Sequence, residues 1–223
     1  MAWRSSGATN EELVNNLHKN GVIKNDRVRQ AMLGVDRDHY APRRPYEDCP
    51  QPIGHKATIS APHMHASACE SLLGHLNPGS KVLDIGSGSG YLTHVLAELI
   101  KPHGTVIGID HIQALTDLAK SNMCKSKEGT ELLDSGTVKF ITGDGRKGWP
   151  EGAPYDAIHV GAAAAEHHQV LTDQLRAPGR LFVPVEEDYA QHIYVIDKKE
   201  DGSLERKKLY GVQYVPLTDA PTV

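Results

Sequence analysis

Apolar residues recur along the chain in short bursts separated by glycine and proline, and the spacing inside each burst predicts an element. From Lys81 onward the pattern predicts strand 81–85, helix 90–100, strand 105–109, helix 112–125, strands 137–142 and 156–161, helix 166–177 and strand 180–185. Such alternation predicts a mostly parallel sheet with helices on both faces. The strand C-terminal ends should then share one edge, where open α/β sheets bind ligands. Beyond Pro184 the rhythm changes to Ile193-Tyr194-Val195-Ile196, then Asp201-Gly202, then Leu209 through Val215. Asp-Gly between two strand-like runs predicts a C-terminal antiparallel hairpin that closes the sheet. Ahead of this core, Thr9-Asn10-Glu11-Glu12 has the form of a capping box and opens a helix carrying Leu13, Val14 and Leu17, which Asn20-Gly21 stops. A second helix is expected from Asn25 or Asp26 to Gly34. Pro42, Pro45, Pro50 and Pro52 should hold the next stretch out of regular structure, and a helix restarts within Ser60 to Gly74 with Pro62 in its first turn. There is no internal repeat or low-complexity tract, so 1–223 reads as one domain.

Composition narrows the class more than the chemistry. A chain of 223 residues can bury a sizeable core. Its formal charge of −4 argues against a dedicated nucleic-acid binder. Cys49, Cys69 and Cys124 are odd in number and contain no C-x-x-C pair, so reduced thiols are expected rather than a disulfide framework or a zinc site. His63 and His65, or His167 and His168, lack the i, i+4 spacing of a helical metal pair, and no metal is expected. The N-terminal residues do not resemble a signal peptide, and no apolar run approaches the roughly 18 residues of a membrane span. A soluble, cytoplasmic protein without membrane or nucleic-acid partners is expected.

The most informative segment is Val82-Leu83-Asp84-Ile85-Gly86-Ser87-Gly88-Ser89-Gly90-Tyr91, a buried strand ending in alternating glycines before a helix. Glycine permits a close backbone approach by a ligand, and the helix start offers unpaired N–H groups. A dinucleotide fingerprint wants a glycine where Tyr91 stands. The observed G-x-G-x-G, with Asp84 two residues before it, resembles instead motif I of the class I S-adenosylmethionine methyltransferases. Asp110 ends the next strand, where a carboxylate can accept both ribose hydroxyls of either NAD or adenosylmethionine. Asp144, in Gly143-Asp144-Gly145, can accept the exocyclic amine of adenine while Gly145 leaves room for the ring, or it can simply cap a turn. After the fourth strand comes His159-Val160-Gly161-Ala162-Ala163, without the Asn/Asp-Pro-Pro-Tyr turn of amino-group methyltransferases, an acid for a catechol-type magnesium, or a Pro-Cys nucleophile. A carboxylate acceptor fits what is left, being anionic at neutral pH and needing no general base.

Several further segments carry a closer likeness. Ala57-Thr58-Ile59-Ser60-Ala61-Pro62-His63-Met64-His65-Ala66, the glycine turn, Val106-Ile107-Gly108-Ile109-Asp110-His111, Gly143-Asp144-Gly145-Arg146, Ala153 to Ala163 and Tyr214-Val215-Pro216-Leu217-Thr218 resemble the protein L-isoaspartate (D-aspartate) O-methyltransferase family over nearly the whole chain. The resemblance implies a Rossmann-like class I methyltransferase fold, with 1–78 as a helical, substrate-side segment, 79–185 as the cofactor-binding core and 186–223 as the hairpin and a substrate-facing strand. It implies S-adenosylmethionine as donor, S-adenosylhomocysteine as product, damaged isoaspartyl proteins as partners, and a monomer. It places Ser60 at the acceptor carboxylate. Ala57, Thr58, Ile59, Ser60, His65, Asp84, Gly86, Gly88, Asp110, His111, Asp144, Gly145 and Thr218 would contact the cofactor. Glu166-His167-His168 and Ala177-Pro178-Gly179 depart from frequent family sequences without touching those positions.

Two readings stay open on the residues themselves. Ser60 before Ala61-Pro62 is either a hydroxyl that aims a carboxylate oxygen or a helix cap. The stretch Val212-Gln213-Tyr214-Val215-Pro216-Leu217 is either an ordinary strand or an edge on which an extended peptide adds, with Val212, Val215 and Leu217 against the substrate. The competing functions are a small-molecule carboxyl methyltransferase, a nicotinamide oxidoreductase and a catalytically silent adenosylmethionine-binding module.

Overall fold

The computed structural model describes residues 2–162, 169–187 and 190–212. The chain begins with helix α1, Asn10–Lys19, capped as its sequence predicts: the Thr9 hydroxyl accepts from the Glu12 N–H. The Glu12 carboxylate reaches back one residue further than a strict capping box and accepts from the Ala8 N–H at 2.8 Å. Helix α2, Asp26–Gly34, starts at the Asn25 cap. The Asn10 amide donates to the Met32 carbonyl, which fixes the two helices to each other. The expectation of irregular chain through Pro52 is corrected. Strand β1, Gln51–Gly54, pairs antiparallel with β2, Ala57–Ile59, setting Pro52 opposite Thr58. A two-stranded ladder is all edge, so a residue without an N–H is tolerated there. Helix α3, Pro62–Leu72, then starts with proline in its first turn.

The core follows as β3 (Lys81–Ile85), α4 (Tyr91–Leu99), β4 (Thr105–Asp110) and α5 (Gln113–Met123). Helix α6, Lys127–Asp134, is an addition that the periodicity did not announce, because only Gly129 and Leu132 are buried on it. Its start is fixed by the Ser126 hydroxyl, which accepts from the Gly129 N–H at 3.0 Å. Strands β5 (Val138–Thr142) and β6 (Tyr155–Val160) come next. The helix expected over 166–177 is shorter at its end: α7 covers Gln169–Asp173, and Leu175 already begins strand β7, Leu175–Glu187. Pro178 withholds an N–H and disfavours helical angles at Ala177. Lys198 holds the freed Thr172 and Leu175 carbonyls. Strands β8 (Ala190–Lys198) and β9 (Leu204–Val212) form the antiparallel hairpin, its second strand starting earlier than the apolar run at Leu209.

Among the described residues the sheet has seven strands in the order β5-β4-β3-β6-β7-β8-β9, parallel from β5 to β7. Successive residues of a strand point to opposite faces, and each face has its own apolar cluster. Val82, Val106, Val138 and Ala157 join the residues of α1 to α4 in one, whereas Leu83, Ile107, Ile158 and Leu181 meet Leu171 and Leu175 in the other. Burial on both faces explains the nearly unbroken apolar runs of the central strands.

Candidate active site

Strands β3, β4 and β6 end together, and the glycine turn leaves β3 at that edge. The N–H groups of Gly86 and Ser87 donate to the Ile109 carbonyl, and Gly88 donates to the Asp110 carboxylate at 3.1 Å. The other Asp110 oxygen accepts from the Ile112 N–H at 3.1 Å. Burial pushes the Asp110 carboxyl above the usual range against those bonds. Gly90 caps α4 with φ 85°, and a Cβ there would lie 2.9 Å from the Ala119 Cβ and 3.1 Å from the Phe140 ring. Only glycine both adopts that angle and lets α4 seat against the sheet.

One cavity joins this turn to the chain segment before α3. Its walls come from Thr58, Ile59 and Ser60 on one side, and from Gly86, Ser87, Gly88, Ser89 and Leu92 on another. Asp84, His65, His159 and Gly161 complete it. The Asp84 carboxylate is buried and doubly engaged, accepting from the Thr93 hydroxyl at 2.6 Å and bonding His159 Nδ1 at 2.8 Å. A carboxylate only accepts, so His159 Nδ1 carries the proton. The Ser60 carbonyl accepts from the fully buried Arg37 guanidinium at 2.8 Å, and Arg37 also reaches His65 Nδ1 at 3.3 Å. The residue that caps α3 is Ala61 and no side chain caps the helix, so the Ser60 hydroxyl is not spent as a cap.

The model of the family "Protein-L-isoaspartate(D-aspartate) O-methyltransferase" matches residues 8–222. The chain belongs to that family. Its Caenorhabditis elegans relative, a protein-L-isoaspartate O-methyltransferase, is 50% identical over 218 residues, covering 98% of this chain and 96% of the relative. Protein-L-isoaspartate O-methyltransferase 2 of Arabidopsis thaliana is 49% identical, over 92% of this chain and 67% of the relative. Among solved structures, a Plasmodium falciparum chain described as a protein-L-isoaspartate O-methyltransferase, in complex with S-adenosyl-L-homocysteine, superposes with a TM-score of 0.89 at 38% identity. That match covers 95% of this chain and 99% of the other. The fold is therefore the Rossmann-like class I methyltransferase fold, and S-adenosylmethionine is the family's methyl donor.

Of the residues expected at the isoaspartyl methyltransferase site, Thr58, Ile59, Ser60, His65, Asp84, Gly86 and Gly88 line the cavity. Ala57, Asp110, His111, Asp144 and Gly145 stand outside its wall, although Asp110 is tied to it through the Gly88 N–H. Asp144 is held by Arg146 in a two-point contact at 2.8 and 2.9 Å, which keeps its carboxyl below the usual range. A Cβ on Gly145 would collide with the Ile85 side chain, so this glycine serves close packing over the end of β3. Val212 ends β9 and packs partly buried against the larger cluster. Val215, Leu217 and Thr218 lie outside the described residues. Ser87, Ser89 and Leu92 also line the cavity and were not named from the motif, whereas His159 and Gly161 line it at the strand-end edge where the alternation placed them. The Ser87 hydroxyl is buried in the turn with no partner among the described residues, and a polar donor molecule in the cavity would satisfy it.

Proposed function

We propose that this protein transfers a methyl group from S-adenosylmethionine to the free carboxylate of L-isoaspartyl, and also D-aspartyl, residues in damaged proteins and peptides. The observation that carries the reading is that a single cavity holds both Ser60 and the glycine turn, so acceptor and donor segments face one space. When bound, S-adenosylmethionine supplies a methyl group on a positively charged sulfur. Gly86, Gly88 and the Ser87 hydroxyl would hold its amino-acid end, with Asp110 and His111 at the ribose and Asp144 and Gly145 at the adenine. Ala57 to Ile59 and His65 would close the near wall, and Thr218 would approach from the C-terminal side.

Ser60 would donate one hydrogen bond to the acceptor carboxylate and aim its second oxygen at the methyl group. The negative and positive charges cancel as the bond forms, so exclusion of water by the bound substrates would favour the step once binding has offset desolvation, with Ile59 and Leu92 as the apolar part of a largely polar wall. The product ester closes without help to a succinimide, the following main-chain nitrogen attacking the ester carbonyl and expelling methanol, and hydrolysis of the ring by water partly restores normal aspartate, so repair proceeds in cycles. Val212, Val215 and Leu217 would lie against an extended peptide. The division into 1–78, 79–185 and 186–223 would then separate acceptor, donor and peptide-docking roles in one cytoplasmic monomer.

The test offers labelled S-adenosylmethionine with an isoaspartyl peptide and its normal aspartyl twin. Label is expected on the isoaspartyl peptide alone; equal labelling of the two, or none, overturns the reading.

A further inference from the structure

Arg37 follows α2 in a short turn, and its side chain has no contact with solvent. A buried guanidinium is costly unless its donors are used. Its pKa is brought down to about 10 by burial, so it is still a cation at neutral pH. Among the described residues no carboxylate lies within ion-pairing distance of it. Asp48, a buried acid whose charge reaches Arg37, is turned to the N–H and the ring of His63 at 3.0 and 2.8 Å. The groups that Arg37 does hold are the Ser60 carbonyl and His65 Nδ1, while its ring-facing side covers Tyr91 at 5.1 Å.

A guanidinium can only donate. His65 Nδ1 must therefore accept, and the one proton of the neutral ring sits on Nε2. Both His65 and His159 line the cavity, and neither Nε2 is a sealed, unpartnered atom. Asp84 imposes the reverse on His159, whose Nδ1 carries the proton, so that Nε2 of this ring accepts whenever the ring holds a single proton. Two histidines with opposite Nε2 character thus face one space. Burial, followed by the neighbouring Arg37 charge, holds the His65 pKa well below the usual histidine value. A neutral ring also spares the bound sulfonium a second positive neighbour.

We propose that Arg37 is a positioning residue of the methyl-transfer site, fixing the Ser60 main chain and making His65 an obligate Nε2–H donor to the cavity. The importance of this role for rate rests on the function proposed above; the tautomer itself does not. The experiment records long-range 1H–15N spectra of the histidine rings in the wild-type protein and in Arg37→Met and Arg37→Lys, each checked for folding by circular dichroism. In the wild type, His65 should show an unprotonated Nδ1 and a protonated Nε2, and His159 the reverse. Arg37→Met should give a mixture of tautomers at His65 and leave His159 unchanged; Arg37→Lys, which keeps a cationic donor, should preserve the His65 tautomer at least in part. If Arg37→Met does not fold, the wild-type and lysine spectra still decide. A protonated His65 Nδ1 in the wild type, or an unaltered His65 tautomer in folded Arg37→Met, overturns the proposal. With the isoaspartyl peptide, kcat of Arg37→Met should fall by roughly 10²-fold, the scale of a misplaced reacting group, more than KM changes. A wild type with the expected tautomers and no isoaspartyl methylation would overturn the function and leave the assignment of Arg37 as tautomer-setter standing.

Discussion

Ser60 shows how little separates a cap from a functional hydroxyl. One residue of offset decides it, since Ala61 takes the capping position and the Ser60 side chain is left for the cavity. Ser60→Ala should therefore spare both the helix and cofactor binding. It should remove a hydrogen bond to a charged group worth about 1.5–3 kcal/mol, a loss of roughly ten- to hundredfold in kcat. Calorimetry with S-adenosylhomocysteine beside initial rates would check it, and unchanged turnover would remove Ser60 from its role. His65 makes a second prediction, about stability. Its folded-state pKa lies below the unfolded value of 6.5, so the unfolded chain takes up a proton that the folded one refuses. Its contribution is intact above pH 6.5 and is lost as pH falls, by up to about 2 kcal/mol at pH 5. Urea unfolding at pH 7 and pH 5 should show that loss, and His65→Gln should shrink it. These two residues were named from sequence, whereas Arg37, which holds both, was not. The Arg37 and Asp84 contacts join residues 28 and 75 apart in the chain, and periodicity carries no information about such pairings.

At the scale of elements, the central strands could be read because a strand buried on both faces leaves a continuous apolar run. The short pieces could not: β1 contains a proline, and α6 buries almost nothing. The glycine turn was legible as a motif, yet glycines at one backbone angle do different work inside it and outside it. Gly79 and Gly90 share a φ of 85°, but nothing lies within 4 Å of a Cβ added at Gly79, whereas one at Gly90 runs into Ala119 and Phe140. Gly79→Ala should cost about 1 kcal/mol of backbone strain. Gly90→Ala should cost about 2–4 kcal/mol, because overpacking is added to the strain, and it should weaken S-adenosylhomocysteine binding as α4 shifts. Equal losses in urea titrations of the two variants would contradict this account.

Over the whole molecule, the N-terminal helices are part of the main core. Leu13, Val14 and Leu17 of α1 share a cluster with Val82 and Phe182 of the sheet. Leu17→Ala should lower stability by about 2–5 kcal/mol in a single cooperative urea transition, and a separate early transition for the N-terminal segment would show that it is an independent unit. The proposed division of labour along the chain is one of roles, built on a shared interior. The far side of the sheet ends on β9, where Leu204, Leu209 and Tyr210 are exposed beside Arg206, Lys207 and Lys208. Among the described residues β9 is the outermost strand, and charged side chains on such an edge oppose pairing with another copy; Arg206 and Lys208 are held by Glu187, and Lys207 stands between them. A protein that attends to aged, partly opened chains meets aggregation-prone backbone constantly. Charged side chains on its outermost described strand would oppose its recruitment into the deposits of such chains.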